Sequence, residues 1–361
     1  MNYPLASIDT AALQHNLQQA KRYAPNSRIM SVIKANGYGH GLLPIAKALL
    51  ETDAFAVARL DEAVLLRQGG INHAIVVLEG MHTIEQFQCA IDLQITPVLH
   101  LTEHVELLLK CNGQVPFCWL MLETGMHRLG MPGEALRLAK QQLNSAGYTN
   151  QQLGLMSHFA NSDLLEDSRN SAQISVMSQL VSETGLSACM ANSAAIISLP
   201  DAHYQWVRPG LMLYGVSPFN EQTAEDLGLK PVMQLRSTLI ATQLLKPGDQ
   251  VGYGGEWTAT KATRMGVVSC GYGDGYHRHL SNRGNVIIRD RLLPVIGRVS
   301  MDTICINLED CPAAMPGDDV LLWGGTQLPV EQVAMTAGTI AYELLSVLTQ
   351  RVHRDYCDGQ S

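Results

Sequence analysis

Between residues 29 and 215, eight short apolar runs, often β-branched, alternate with segments whose apolar residues fall three and four apart. The runs are IMSVIK (29–34), AFAVAR (54–59), AIVVLE (74–79), ITPVLH (95–100), FCWLMLET (117–124), LGLMSHF (153–159), ACMANSA (188–194) and WVRPGLMLYG (206–215). Intervening stretches such as LLPIAKALLE and RLDEAVLLRQGG carry helical periodicity, and the second ends in glycine, as helices often do. Eight strands alternating with helices predict an α/β fold, a parallel (β/α)8 barrel of the TIM type.

After about residue 220 the pattern changes. Pro-Gly turns at KPGDQ and MPGDD and alternating runs such as NVIIRD and DTICINL predict a mostly β C-terminal domain of short strands. One late helix is expected over 331–348, across an internal glycine. The polar stretch FNEQTAEDLGLKP marks the boundary, giving a barrel over 1–228 and a β-rich domain over 229–361, with the first few residues able to pack on the second domain.

Composition narrows the function. The chain has 361 residues, 46% hydrophobic and 16% charged, enough for a large core. A formal charge of −8 without a basic run argues against nucleic acid or an anionic membrane as partner and favours a small molecule. MNYPLASIDT lacks a basic region followed by an apolar core, and no apolar run reaches the ~18 residues of a membrane span, so a cytoplasmic protein is expected. Eight cysteines spread from Cys89 to Cys357 without a C-x-x-C pair read as free thiols.

In a barrel of this kind the chemistry sits at the C-terminal ends of the strands. Lys34 then ends strand one and Arg128 follows strand five in TGMHRLG. His158 ends strand six, Asn192 and Ser193 lie near the end of strand seven, and Arg208 and Gly210 lie in strand eight. Singly, each has a plain explanation: a solvated lysine, a satisfied core histidine, a helix cap, a carboxylate's partner. Their convergence on one mouth favours a site. A lysine amine with a phosphate position beside strands seven and eight suggests pyridoxal phosphate, whose aldehyde forms a Schiff base with lysine.

No metal is expected. HLTEH (100–104) matches H-x-x-E-H, but that motif needs both histidines on one helix. Here His100 reads as the end of a strand and Thr102 as the cap of the helix that follows. GYGHG and GYGDGY lack the spacing of a dinucleotide site.

VIKANGYGHG, TGMHRLG, MSHFA, NSAA, VRPG, the Tyr253-Gly254 pair after Val251-Gly252, GYGDGY, GRVSMD and GTIAYEL together resemble, in order, the motifs of the alanine racemases. The resemblance runs from about Ala6 to near the C-terminus. It implies pyridoxal 5'-phosphate on Lys34. Tyr38, Ser193, Gly210, Leu211 and Tyr342 would hold the phosphate, with Asn192 beside them. Arg208 would face the ring nitrogen, His158 would pack on the ring, and Arg128 would meet the substrate carboxylate. Tyr253 and Met301 would enter from the second subunit of a head-to-tail homodimer.

Two bases must flank the cofactor plane to move a proton between faces: Lys34 on the D-alanine side and Tyr253 on the L-alanine side. An ordinary phenol needs roughly 4 kcal/mol of help to serve as phenolate at neutral pH, and Arg208 relayed through His158 is the expected source. A guanidinium does not yield its proton, so the ring nitrogen should stay unprotonated. Asp163, Tyr272, Arg278, Arg298, Asp302 and Ile340 match the family's entrance.

Three departures stand out. Gly37 replaces the usual alanine, Met121 stands where a carbamylated lysine often orients the arginine, and Glu123 replaces an aspartate. A serine or broad-specificity racemase and a non-catalytic pyridoxal phosphate protein are the alternatives; the second lacks a domain like that after residue 230.

Overall fold

The computed structural model describes residues 4–359. The eight apolar runs form parallel strands, Arg28–Val32, Ala54–Val57, Ala74–Val77, Thr96–Leu99, Cys118–Met121, Leu153–Met156, Ser187–Cys189 and Trp206–Val207, closed into a barrel. Pairing of Arg28 with Trp206 joins the first strand to the eighth. Helices return the chain between strands, each placed by a local signal. Ile84–Asp92 begins where Thr83 accepts a hydrogen bond from the Gln86 amide, and it buries Phe87 and Ala90. Ser168–Thr184 begins at Asp167 and stops at Gly185 in the left-handed conformation.

Most of the strands are shorter than the apolar runs. The eighth ends at Val207, because Pro209 has no N–H for the ladder, and a short 3₁₀ turn, Leu211–Tyr214, follows. Arg208 and Gly210 therefore lie beyond the strand rather than in it, and Lys34 and His158 likewise sit two residues past strands ending at Val32 and Met156. Leu101, not Thr102, is the cap of Thr102–Leu109. The expected late helix is two, Val330–Ala337 and Ala341–Ser346, because Gly338 turns left-handed (φ 71°) and closes the first.

The second domain is an eight-stranded sheet in the order Thr263–Val268, Ile304–Asn307, Arg291–Ile296, Asn285–Ile288, Asp319–Gly324, Met233–Leu245, Leu5–Asp9, His353–Cys357. A further pairing of Thr263–Val268 with Met233–Leu245 curls six of these strands back on themselves. The N-terminal strand Leu5–Asp9 runs antiparallel to Met233–Leu245 and parallel to His353–Cys357, so both ends of the chain share this sheet.

One apolar core runs through barrel and sheet, with Phe55, Phe87, Trp119, Phe159, Tyr276 and Trp323 fully buried. All eight cysteines are free thiols. Among the described residues no helix is long and apolar enough to cross a membrane.

Two glycines separate backbone strain from collision. Gly185 (φ 64°) faces open space, whereas a Cβ on Gly215 (φ 71°) would lie 1.8 Å from the Lys230 carbonyl oxygen. Gly185→Ala should cost only the left-handed conformation, about 1 kcal/mol. Gly215→Ala must also move backbone and should cost ~3 kcal/mol or more. Comparing the thermal unfolding midpoints of the two variants checks the order.

Candidate active site

The segment carrying Lys34 is neither a strand end nor an ordinary turn. Ala35, Asn36, Gly37 and Tyr38 all take left-handed backbone, with φ of 53°, 55°, 62° and 50°. Three of these residues have side chains, and each such residue costs roughly 1–2 kcal/mol, so the surrounding structure must impose the turn. Within it, the Gly37 amide donates to Ile33 O (2.9 Å) and the Gly39 amide to Ala35 O (3.0 Å). The Asn36 side-chain oxygen accepts from the Leu42 amide at 2.9 Å.

The C-terminal domain supplies the outer clamp. Arg354 Nε donates to Gly39 O (2.6 Å) and the Tyr356 hydroxyl to His40 O (2.8 Å). A Cβ on Gly39 would lie 1.9 Å from Leu345 O, so the helix bearing Tyr342 rests directly on this turn. These clamps span more than 300 residues of sequence and have no local signal.

Lys34 points into a mouth shared with two guanidinium groups. Burial first, and then the Arg128 charge, lower its amine from the usual lysine value, against an opposing effect of Glu79. Arg208 is buried and spends its donors on fixed acceptors: Nη1 on Cys189 O (3.0 Å), and Nη2 on Ser157 O (2.7 Å) and His158 Nδ1 (3.1 Å). Burial, then the Arg208, Arg128 and Lys34 charges, hold His158 at about 3. Its ring is neutral, and with Nδ1 accepting from Arg208 the proton belongs on Nε2.

A cradle lies past strands seven and eight. Ser193 Oγ accepts from the amides of Gly210 (3.0 Å) and Met212 (3.2 Å), and a Cβ on Gly210 would lie 2.7 Å from the Tyr38 hydroxyl. Glycine is required there for backbone and hydroxyl to meet. Asn192 caps Ser193–Ser198, accepting from the Ala195 amide and from Ser162 Oγ (2.8 Å). Tyr38 stacks on Tyr214 at 4.7 Å and faces Tyr342 at 6.0 Å between ring centroids. Burial, with Asp163 next, pushes the Tyr342 hydroxyl up to about 12. Hydroxyls, a glycine backbone and the turn beginning at Leu211 converge here, a donor set that fits a phosphate group. With Lys34 and the unyielding Arg208 beside it, the set fits pyridoxal phosphate as a whole.

Arg128 sits on the TGMHRLG loop, whose shape is set by Glu123. That carboxylate accepts from the amides of Gly125 and His127, and His127 is itself left-handed (φ 56°). Met121 ends the fifth strand and offers the guanidinium no polar partner. Among the described residues none holds Arg128 by a hydrogen bond or ion pair.

Tyr253 and Met301 are not brought to this group within the chain. Tyr253 opens a tight turn beside Arg298, which pairs with Glu256. Met301 is packed by the GYGDGY loop: the Tyr272 amide donates to Ser300 O (3.0 Å) and the Gly273 amide to Met301 O (2.8 Å), while Arg351 ties Asp274 to Asp302. Both side chains stand exposed, 72% and 52%.

Fold and site define a two-domain barrel enzyme organised around one half-buried lysine. Comparisons with known proteins make the class specific. The model of the alanine racemase N-terminal domain matches residues 8–218 and that of the C-terminal domain residues 232–356. An alanine racemase of Nitrosococcus oceani is 46% identical over 98% of this chain and 99% of its own length, and one of Aeromonas hydrophila 43% over 99% and 100%. The crystal structure of a biosynthetic alanine racemase from Pseudomonas aeruginosa superposes with a TM-score of 0.94 at 40% identity, over 99% of this chain and 100% of that one. A Bartonella henselae alanine racemase with covalently bound pyridoxal phosphate gives 0.90 at 28%, again over 99% and 100%. The chain belongs to the alanine racemase family.

His40, which sequence reasoning leaves without a role, is explained by the turn. It is wholly buried, its Nδ1 donates to Tyr38 O (2.8 Å) and its ring lies 4.6 Å from that of Tyr214. Burial lowers it from 6.5 to about 4. The unfolded chain therefore takes up this proton first, so the contribution to stability is full above about pH 6.5 and is lost as pH falls toward 4. Between pH 6.5 and 4.5 the wild type should lose about 2 kcal/mol more than His40→Gln, read from urea unfolding at both pH values.

Proposed function

We propose that this chain is an alanine racemase that uses pyridoxal phosphate, with Lys34 and Tyr253 as its two bases. The reaction is the interconversion of L- and D-alanine. It needs one group to take the α-proton from one face and another to deliver a proton to the opposite face. The observation that carries the reading is Lys34: a half-buried amine whose charged form is disfavoured, fixed on a rigid turn in the same mouth as the Arg208–His158 pair. An amine so placed can accept a proton at neutral pH and return it, on the D-alanine side.

When bound, pyridoxal phosphate withdraws electrons from the α-carbon so that its proton can leave. Tyr38, Ser193, Gly210, Leu211 and Tyr342 hold its phosphate, with Asn192 fixing the helix that Ser193 begins. Arg208 faces the ring nitrogen as a donor that keeps its protons. Neutral His158 packs on the ring and passes the influence of Arg208 toward the L-side base. Arg128 meets the substrate carboxylate as a charge-assisted partner.

Tyr253, the base of the L-alanine side, comes from a second copy in a head-to-tail homodimer. Support comes from the surface of the second domain, where Tyr253, Tyr272, Met301 and Ile340 stand exposed on loops that other contacts hold in place. Such side chains suit the narrow wall of a pocket sized for alanine. The division after residue 228 then has a purpose: the barrel carries one base, and the domain after it carries the other into the partner's site.

Lys34→Ala and Tyr253→Phe should each abolish racemisation in both directions, because each direction needs both bases; the loss of optical rotation of L- and D-alanine checks it. Co-expressed, the two inactive variants should recover about a quarter of wild-type activity, because half of the dimers are mixed and each mixed dimer holds one intact site. A co-purified mixed dimer without activity refutes the shared site; full activity of Tyr253→Phe in both directions refutes the two-base assignment.

A further inference from the structure

Three histidines outside the racemase site lie together. His82 is in the loop after the third barrel strand, His100 directly follows the fourth, and His104 is on the helix Thr102–Leu109. Their rings stand edge to face, with centroids 4.3 Å apart for His100–His104, 5.1 Å for His82–His104 and 6.1 Å for His82–His100. One ring nitrogen from each lies within 4.8 Å of those of the other two. HLTEH fails as a two-histidine helical motif, but its histidines still meet, and a third joins them from a different loop.

The burial of the cluster needs a reason. His104 is 1% exposed, and neither of its ring nitrogens has a hydrogen-bond partner among the described residues. Leaving both nitrogens of a buried imidazole unpaired is destabilising, so ordinary packing does not account for it. The neighbouring loop also makes room for the ring: Gly80 has φ of 76°, and a Cβ there would come within 2.9 Å of His104 Cε1 and 2.8 Å of Val98 O.

His100 is set up as a ligand. Its Nε2 donates to Glu79 O at 2.9 Å, which leaves the lone pair on Nδ1. A backbone carbonyl fixing the far nitrogen is the usual support of a metal-bound imidazole. Side chains of His82, Glu79, Arg59 and Gln86 line an open cleft beside the cluster, so a fourth position is accessible to water.

We propose that His82, His100 and His104 form a three-imidazole site for a borderline divalent cation of the zinc type, with its fourth position open to solvent. Imidazole ligands without thiolate or carboxylate suit Zn(II), and also Ni(II) and Cu(II), over Mg(II) or Ca(II). Ligand nitrogens at about 2.0–2.1 Å from a tetrahedral ion sit closer together than those of the free cluster, and rotation of the exposed His82 closes the gap. The ion would staple the loops after strands three and four. This inference does not depend on the racemase assignment.

The test uses the holoenzyme with zinc ion, and with cobalt ion as a spectroscopic probe. Competition against a chromophoric chelator should give one zinc ion per chain, binding at least roughly tenfold more weakly in His82→Ala, whose exposed loop position leaves folding intact, and likewise in His104→Leu. Bound cobalt should show visible bands of a tetrahedral nitrogen site, lost in His82→Ala, and zinc should raise the unfolding temperature of wild type only. Zinc uptake that is negligible at tens of micromolar free ion overturns the proposal. So does uptake unchanged in His82→Ala, or a cobalt spectrum dominated by thiolate charge transfer.

Discussion

The left-handed turn from Ala35 to Tyr38 is the constraint on which the site hangs. Left to itself such a turn would relax, since three of its four residues carry a Cβ. It persists because the last strand of the second domain holds the carbonyls of Gly39 and His40 from outside, through Arg354 and Tyr356, while His40 and Asn36 hold it from within. The strand that supplies the clamp is anchored by Leu5–Asp9, from the other end of the chain. Closing the sheet with both termini therefore rigidifies the lysine, a link between fold and chemistry that neither domain has alone.

Around that lysine the electrostatics follow one logic. Lys34, Arg128 and Arg208 converge on a region whose one imidazole is held neutral by burial and by those cations. Two guanidinium groups share the mouth with an amine whose charged form they disfavour, and a site of this kind is best satisfied by an anion. A phosphate and a carboxylate are two such anions. Glu79 offsets part of the field at Lys34, and its backbone carbonyl orients His100, so the barrel rim joins the lysine's surroundings to the histidine cluster.

The barrel was legible because alternation of apolar runs with helical periodicity is a local property, repeated eight times. Site residues named from strand ends, Lys34, His158, Asn192, Ser193 and Arg208, lie one to four residues past the C-terminal ends of their strands. What eluded sequence reading was set by partners far along the chain or by single dihedral angles. Lys34 reads as a strand terminus, because nothing in KANGY announces left-handed alanine and asparagine. Gly338 reads as tolerable inside a helix, because its use as a helix end depends on φ. The docking of Tyr38 on Tyr214 joins opposite ends of the barrel sequence, and the bonds from Arg354 and Tyr356 depend on how the two domains meet.

Met121 and Glu123 show how a departure from the family pattern can be absorbed. The carboxylate of Glu123, one methylene longer than an aspartate's, reaches round to two backbone amides and stabilises the loop rather than the guanidinium. With methionine at 121, no charged neighbour on the fifth strand competes for Arg128. Its donors stay available for an incoming carboxylate, at the cost of entropy when that contact orders a long side chain. Rigidity lies in the arginine's loop rather than in a side chain that pairs with it. The position of the residue is thus held by backbone, through Glu123 and the bond of Met131 N to Met121 O (2.8 Å), and among the described residues no partner fixes its direction.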